Sequence, residues 1–303
     1  MFHVEQPILK TQLICPACGH DEHVTYLELR DYFLSQDKFR IIKCTNCGLL
    51  ITDPQPLPNE ISKYYKSDLY FSHTTHKKGL EFFLYDRIRK VSLTRKVDMI
   101  RNFSGGNNLL DIGCATGMFL KECKEHGFQV KGVEPNKEAR KYAKEVLKLD
   151  VEDLDHLYKL QEESFDVITM WHVLEHVHDL NERMRMVYSL LKNDGVAIVA
   201  LPNPESYDAL FYSSHWAAFD VPRHLYHFSS DSFKSICEKY DFKVIKIRPL
   251  IYDAFYISYL SERYKYGKSS YLKALYRGLV SNFRARKAGM NYSSLIYILK
   301  KSK

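Results

Sequence analysis

Apolar residues follow two rhythms along this chain, and the rhythm changes near residue 107. Beyond it, short apolar runs at 109–112, 128–133, 165–170, 196–201 and 242–247 alternate with stretches whose apolar residues recur three and four apart. Short bounded runs read as buried strands and the intervening stretches as amphipathic helices. One such helix carries Ala139, Tyr142, Ala143, Val146 and Leu147 on a single face, with Asn136 placed to cap it. SSLIYILKK at 293–301 predicts a last strand. Strand–helix alternation at this interval predicts an α/β fold, a mainly parallel, doubly wound sheet with helices on both faces. Upstream, 24–30 and 39–43 read as short strands, and DPQPLP at 53–58 breaks any helix or central strand. A helix is expected to start in 59–66. A longer amphipathic one is expected over 78–102, on Leu80, Phe83, Leu84, Ile88, Val91 and Met99. The resulting division is a small unit at 1–53, a linker and helix at 54–78, and a main domain at 79–303. A helical insertion at about 251–290 separates its last two strands.

Composition narrows the class. With 45% apolar and 27% charged residues over 303, the chain is that of a globular protein with a sizeable core, not a disordered or collagen-like one. The N-terminus lacks a signal-peptide pattern and no apolar run could span a bilayer, so a cytoplasmic, reducing location is expected. The net charge of +7 is uneven: residues 251–303 hold 11 Lys and Arg against Asp253 and Glu262. Tyrosines are interleaved with that charge in the insertion. It reads either as a lid over the acceptor, as a contact to a phosphate-bearing carrier or a membrane surface, or as a solvated helical hairpin packed on the core.

In a reducing location cysteines are metal ligands or core thiols. Cys15-Pro-Ala-Cys18 and Cys44-Thr-Asn-Cys47 are two C-x-x-C pairs, each followed by glycine. This spacing turns both thiolates of a pair onto one ion, and two pairs complete a tetrahedral zinc site of the ribbon type. Four thiolates leave no open position, so the zinc is structural. Cys114, Cys123 and Cys237 read as buried small side chains.

The main domain carries the chemistry. Gly113-Cys114-Ala115-Thr116-Gly117 is the turn after the first strand, where the backbone can approach a ligand and a helix begins at once. Glu134 lies 21 residues past Gly113 at the tip of the next strand, placed to accept both hydroxyls of a ribose. Asp111, inside the first strand, adds a second carboxylate. It would repel a diphosphate and suits a cationic nucleoside such as S-adenosylmethionine.

The sequence here resembles the class I S-adenosylmethionine-dependent methyltransferases. The matching segments are LLDIGCATG (109–117), VEPN (133–136), FDVITMWHVLEHV (165–177), GVAIVALPNP (195–204) and PRHLYHFS (222–229). The resemblance covers about residues 80–303. It is nearest to a bacterial group with LEHV after the fourth strand and RHLxHF after the fifth, often with an N-terminal four-cysteine element. That group is similar to ubiquinone-pathway O-methyltransferases and to methyltransferases of sugar and polysaccharide modification. The resemblance implies a Rossmann-like seven-stranded sheet of order 3-2-1-4-5-7-6, its last strand antiparallel. It implies that Asp111 serves the methionine moiety, Gly113, Cys114 and Gly117 cradle the ligand, and Glu134 holds the ribose. Trp171 and His172 would line the methyl pocket and Asp153 would meet the adenine.

Methyl transfer to a hydroxyl needs alignment and removal of a proton. Glu175, His176, His178 and His172 crowd the segment after the fourth strand, and His224 and His227 follow the fifth. If the first segment is helical, His172 with His176 and Glu175 with Asp179 share faces. His176 or His224 is the expected base with Glu175 beside it, and Arg223 is a structural partner for Glu175. The expected acceptor is a small molecule, a sugar or lipid-linked saccharide. The alternatives are an RNA or protein methyltransferase gripping polymer through the ribbon, and a non-catalytic cofactor-binding scaffold. Nucleic acid is not the expected partner, since no amine-positioning Asn/Asp-Pro-Pro-Tyr/Phe follows the fourth strand.

Overall fold

In a computed structural model of the chain, residues 8–10, 13–65 and 80–302 are described, with side chains from 13–65 and 90–302. The expectations that fall on 66–79, and on the apolar face Leu80, Phe83, Leu84 and Ile88, lie outside them.

The N-terminal unit is antiparallel. Strands β1 (Ile8–Lys10), β2 (Glu22–Arg30), β3 (Lys38–Cys44) and β4 (Leu50–Asp53) pair in sequence order, and the two cysteine knuckles sit at the turns before β2 and after β3. The prolines past β4 allow only a short 3-10 turn, Ile61–Tyr65, where a helix start is expected. Helix α1 (Leu80–Arg101) then leads to the main sheet.

That sheet is built from β5 (Asn108–Ile112), α2 (Met118–Glu125), β6 (Gln129–Val133), α3 (Lys137–Glu145), β7 (Val151–Glu152), β8 (Phe165–Trp171), α4 (Leu180–Leu190) and β9 (Leu191–Pro202). Asn136 caps α3 as expected, its side chain accepting from Ala139 N at 2.9 Å. After β9 come α5 (Tyr207–Tyr212), β10 (Tyr226–His227), α6 (Ser230–Lys239), β11 (Phe242–Pro249), α7 (Asp253–Tyr266), α8 (Tyr271–Lys287) and β12 (Ser294–Lys301). The order is β11-β12-β9-β8-β5-β6-β7. Numbered within the main domain it is the order 3-2-1-4-5-7-6 that the resemblance implies, and β12 runs antiparallel to both neighbours. The insertion is the α7–α8 hairpin.

The strand β10 lies in the other sheet. Tyr226 and His227 pair with Ile51 and Leu50 of β4, and Thr52 N donates to Leu225 O at 3.0 Å. The ribbon is thereby stitched to the loop after β9. Cys15, Cys44 and Ile51 belong to the same core as Ile112, Met170 and Leu225. Arg223, 2% exposed, sits at the seam. It donates to Asp31 Oδ1 and to Asp220 Oδ1, both at 2.7 Å, and to Tyr64 O at 3.1 Å. Its acid partners are therefore Asp31 and Asp220, not Glu175: the ribbon brings an acid 192 residues away in sequence to the guanidinium.

Candidate active site

The carboxyl ends of β5, β6 and β8 meet at the glycine turn. Gly113, Ala115 and Gly117 all have positive φ (74°, 47° and 79°), so the turn folds back sharply before α2. A Cβ on Gly113 would lie 2.5 Å from Val173 Cγ2, and one on Gly117 would lie 2.7 Å from Leu149 Cδ1. The space freed by these glycines is used by the protein's own packing as well as by the turn. Cys114 contributes backbone here. Its buried thiol packs on β6, where a Cβ on Gly132 would lie 2.8 Å from the sulfur.

Two buried carboxylates flank the turn. Glu134 accepts from Ala115 N and Asn136 N, both at 2.8 Å, so its two oxygens brace the glycine turn against the next loop and each keeps a further lone pair. Asp111 accepts from Thr169 Oγ1 at 2.6 Å. Burial pushes the Asp111 carboxyl up to about 7, with Glu134 adding to it and Thr169 and Lys96 opposing. Burial raises Glu134 as well, against the pull of its two N–H partners. A pair of buried acids resting above the ordinary range is short of positive charge.

Lys96 of α1 is a residue that the sequence reading passed over. Its ammonium lies 3.8 Å from the centroid of the Trp171 ring, and both Asp111 and Asp253 act on it. It is half-buried beside Val97 and Ile100, and nothing local in the sequence marks it as facing a carboxylate. Trp171 stands edge-on to Phe119 at 5.3 Å, and its buried indole N–H has no partner among the described residues. Asp153 stands exposed past β7 with its side chain uncommitted as a cap.

The segment after β8 is a three-residue 3-10 turn, Leu174–His176, not an α-helix, so the i, i+4 faces expected for His172 with His176 and for Glu175 with Asp179 do not form. His172, at φ 57°, is instead clamped: Nδ1 donates to Glu175 Oε1 at 3.2 Å and Nε2 to Asp253 Oδ2 at 2.9 Å. Burial alone would lower it, but the hydrogen bonds and charges of Asp253 and Glu175 hold it up at about 10. Both its nitrogens are committed, and it fastens the start of α7 to the site. His178 bonds Pro56 O and His227 bonds Thr52 Oγ1, so both serve the ribbon seam.

The structure does bring Glu175, His176 and His224 together. The two imidazoles meet edge to face with centroids 4.5 Å apart. Burial and neighbouring His176 bring His224 down to about 4, so it is neutral at physiological pH. Leu225 N donates to Glu175 O at 2.7 Å, which ties the 174–176 turn to the segment that pairs with the ribbon.

At the other centre, Cys15 and Cys47 sulfurs lie 3.5 Å apart, as do those of Cys18 and Cys44, and all four lie within 4.8 Å of one another. A tetrahedron of sulfurs about 2.3 Å from zinc has edges of about 3.8 Å. The four fit such an ion.

A family model described as a methyltransferase domain matches residues 84–247, more than half of the chain. The chain belongs to that family. The methyltransferase domain is similar to the ubiquinone biosynthesis O-methyltransferase of Rickettsia bellii, 27% identical over 158 residues, 48% of this chain. The chain spans about 62% of that relative's length. The enzyme of the same description from Nitrosococcus oceani is 27% identical over 226 residues, covering 70% of this chain and 90% of that one. Among solved structures, a SAM-dependent methyltransferase from Archaeoglobus fulgidus aligns with a TM-score of 0.48 at 21% identity, covering 74% of this chain and 100% of that one. The family match and the strand order together bear out the class I assignment read from the motifs.

Proposed function

We propose that the protein is an S-adenosylmethionine-dependent methyltransferase acting on a hydroxyl of a small molecule, a sugar or lipid-linked saccharide. The observation that carries this reading is the pair of buried, charge-starved carboxylates, Asp111 and Glu134, on either side of the glycine turn. A sulfonium donor supplies an activated methyl group when bound. Asp111 meets its positive end, the remaining lone pairs of Glu134 accept from ribose hydroxyls, Trp171 lines the methyl pocket, and Asp153 stands at the adenine edge. On the acceptor side, Nε2 of His176 or His224 takes the hydroxyl proton, and Glu175 positions His172 and balances the charge.

Calorimetry should show S-adenosylhomocysteine binding that Glu134→Ala weakens roughly ten-fold, the scale of a lost charged hydrogen bond. Equal affinity in the variant removes the ribose assignment.

The ribbon's role supports a small acceptor over a polymer. One edge of its sheet is taken by β10 and its Asp31 by Arg223, so it is spent on building the enzyme. A lipid-linked acceptor is supported by the outer face of α8. Leu272, Leu275, Tyr276, Leu279 and Phe283 recur there exposed among Lys273, Arg277 and Lys287. Among the described residues no helix is long and apolar enough to cross a membrane.

The zinc reading has its own test. Because Cys15 and Cys44 belong to the core that holds β5 and β8, stripping the metal with a strong chelator should lower the melting temperature of the whole chain by about 10 °C. A calorimetric transition that does not move would mean that the four sulfurs hold no ion of consequence.

A further inference from the structure

The cluster Glu175, His176 and His224 has a feature that acid–base chemistry alone does not use. Nδ1 of His176 lies 2.9 Å from Arg223 O and 3.0 Å from the Tyr65 hydroxyl, and Nδ1 of His224 lies 2.8 Å from Ala218 O. A carbonyl oxygen only accepts, so each Nδ1 carries the hydrogen and each Nε2 keeps its lone pair. Glu175 is fully buried. Its Oε1 takes the bond from His172, while Oε2 has no hydrogen-bond partner among the described residues. One ligand atom from each of the three residues lies within 4.8 Å of the other two. Two imidazole lone pairs and an unpartnered carboxylate oxygen all want a donor or a cation, and among the described residues none of these atoms is given a hydrogen-bond donor.

We propose that Glu175, His176 and His224 form a divalent-cation site, separate from the four-cysteine centre. Two imidazoles and one carboxylate suit a borderline metal such as zinc, manganese, iron or cobalt better than calcium or magnesium, and three protein ligands leave positions open. The outer partners are those of a built site: each imidazole is oriented by a backbone carbonyl through its far nitrogen, and the carboxylate is oriented by His172. The three come from two segments, the 174–176 turn and the loop before β10, that the Leu225–Glu175 backbone bond holds in register.

One consequence rests on the methyl-transfer reading; the site itself does not. With the ion bound both Nε2 atoms are ligands, so the base role given to them above passes to water: an acceptor hydroxyl in an open position, acidified by the ion, would lose its proton to water. Its oxygen then forms the O–CH₃ bond as the C–S bond breaks, the electron pair staying on sulfur.

The test is cobalt titration of the full chain with its cysteine centre already loaded with zinc, followed by visible absorption and elemental analysis. The proposal expects one further equivalent of cobalt, with d–d bands and no sulfur-to-cobalt charge transfer. His176→Ala and His224→Ala should each weaken it at least ten-fold while retaining one zinc per chain. Glu175→Gln, which keeps the side chain's shape, should do the same, and His178→Ala should leave it unchanged. No cobalt beyond the cysteine centre, or equal binding in the folded histidine variants, overturns the site. Because no donor is present in the titration, cobalt binding by a chain that fails to bind S-adenosylhomocysteine would uphold the site and reject the methyltransferase reading.

Discussion

Replacing Arg223 by methionine should cost the protein about 3–5 kcal/mol. Methionine fills much of the volume but leaves the buried Asp31 and the partly exposed Asp220 without their cation. Arg223 now holds both carboxyls below the usual range, against the opposing effect of burial. Their depressed pKa values stabilise the fold above the unfolded carboxylate value, and that contribution fades as pH falls through the folded ones. The deficit of Arg223→Met should therefore be largest near pH 7 and should shrink towards pH 4 and below, where the orphaned acids can take protons. Arg223→Lys should rescue little, because one ammonium cannot make the forked contacts to two carboxylates and the Tyr64 carbonyl. Urea unfolding at pH 7 and pH 4 measures this directly. A variant with wild-type stability at pH 7 would mean that the ribbon is held by its strand pairing alone.

That seam marks the limit of what the sequence reveals. The main sheet was legible because six of its seven strands are apolar runs, the two-residue β7 being the exception, and because Asp111, the glycine turn and Glu134 lie within 25 residues of one another. Local patterning carries such information. The seam depends on a two-residue strand, β10, whose Tyr226 and His227 have no periodicity to read, and on an ion pair spanning 192 residues. The same holds for His172. Its expected neighbour was His176, four residues on, but a 3-10 turn and a positive φ send it to Asp253 instead, 81 residues on. Lys96 is a further instance: its partner in the fold, Trp171, belongs to a different element. Residue types at the site were readable, whereas their pairings were set by packing between segments that sequence spacing does not relate.

Donor binding should depend on pH through Asp111, and in a direction that distinguishes an electrostatic site from a merely shaped one. Asp111 rests at about 7 because burial penalises its ionised form. A sulfonium favours that form, so binding must shift the group towards ionisation and release a proton wherever the free protein holds one. Affinity for S-adenosylmethionine should thus rise from pH 6 to pH 7 and level off above it. Calorimetry at pH 6.5 in buffers of different ionisation enthalpy should register the released proton. Asp111→Asn keeps the oxygen that accepts from Thr169 but cannot ionise. It should lose about 2–3 kcal/mol of donor affinity at pH 8, roughly 30- to 150-fold, together with the pH dependence. Its stability should change in the opposite sense. A carboxyl whose folded value lies above its unfolded value of 3.8 makes the empty fold less stable as pH rises from about 4 to 7, and the asparagine variant is spared that decline. A variant that binds the donor like wild type at pH 8, or a wild-type affinity flat from pH 6 to pH 8, would show that charge at Asp111 does not hold the donor.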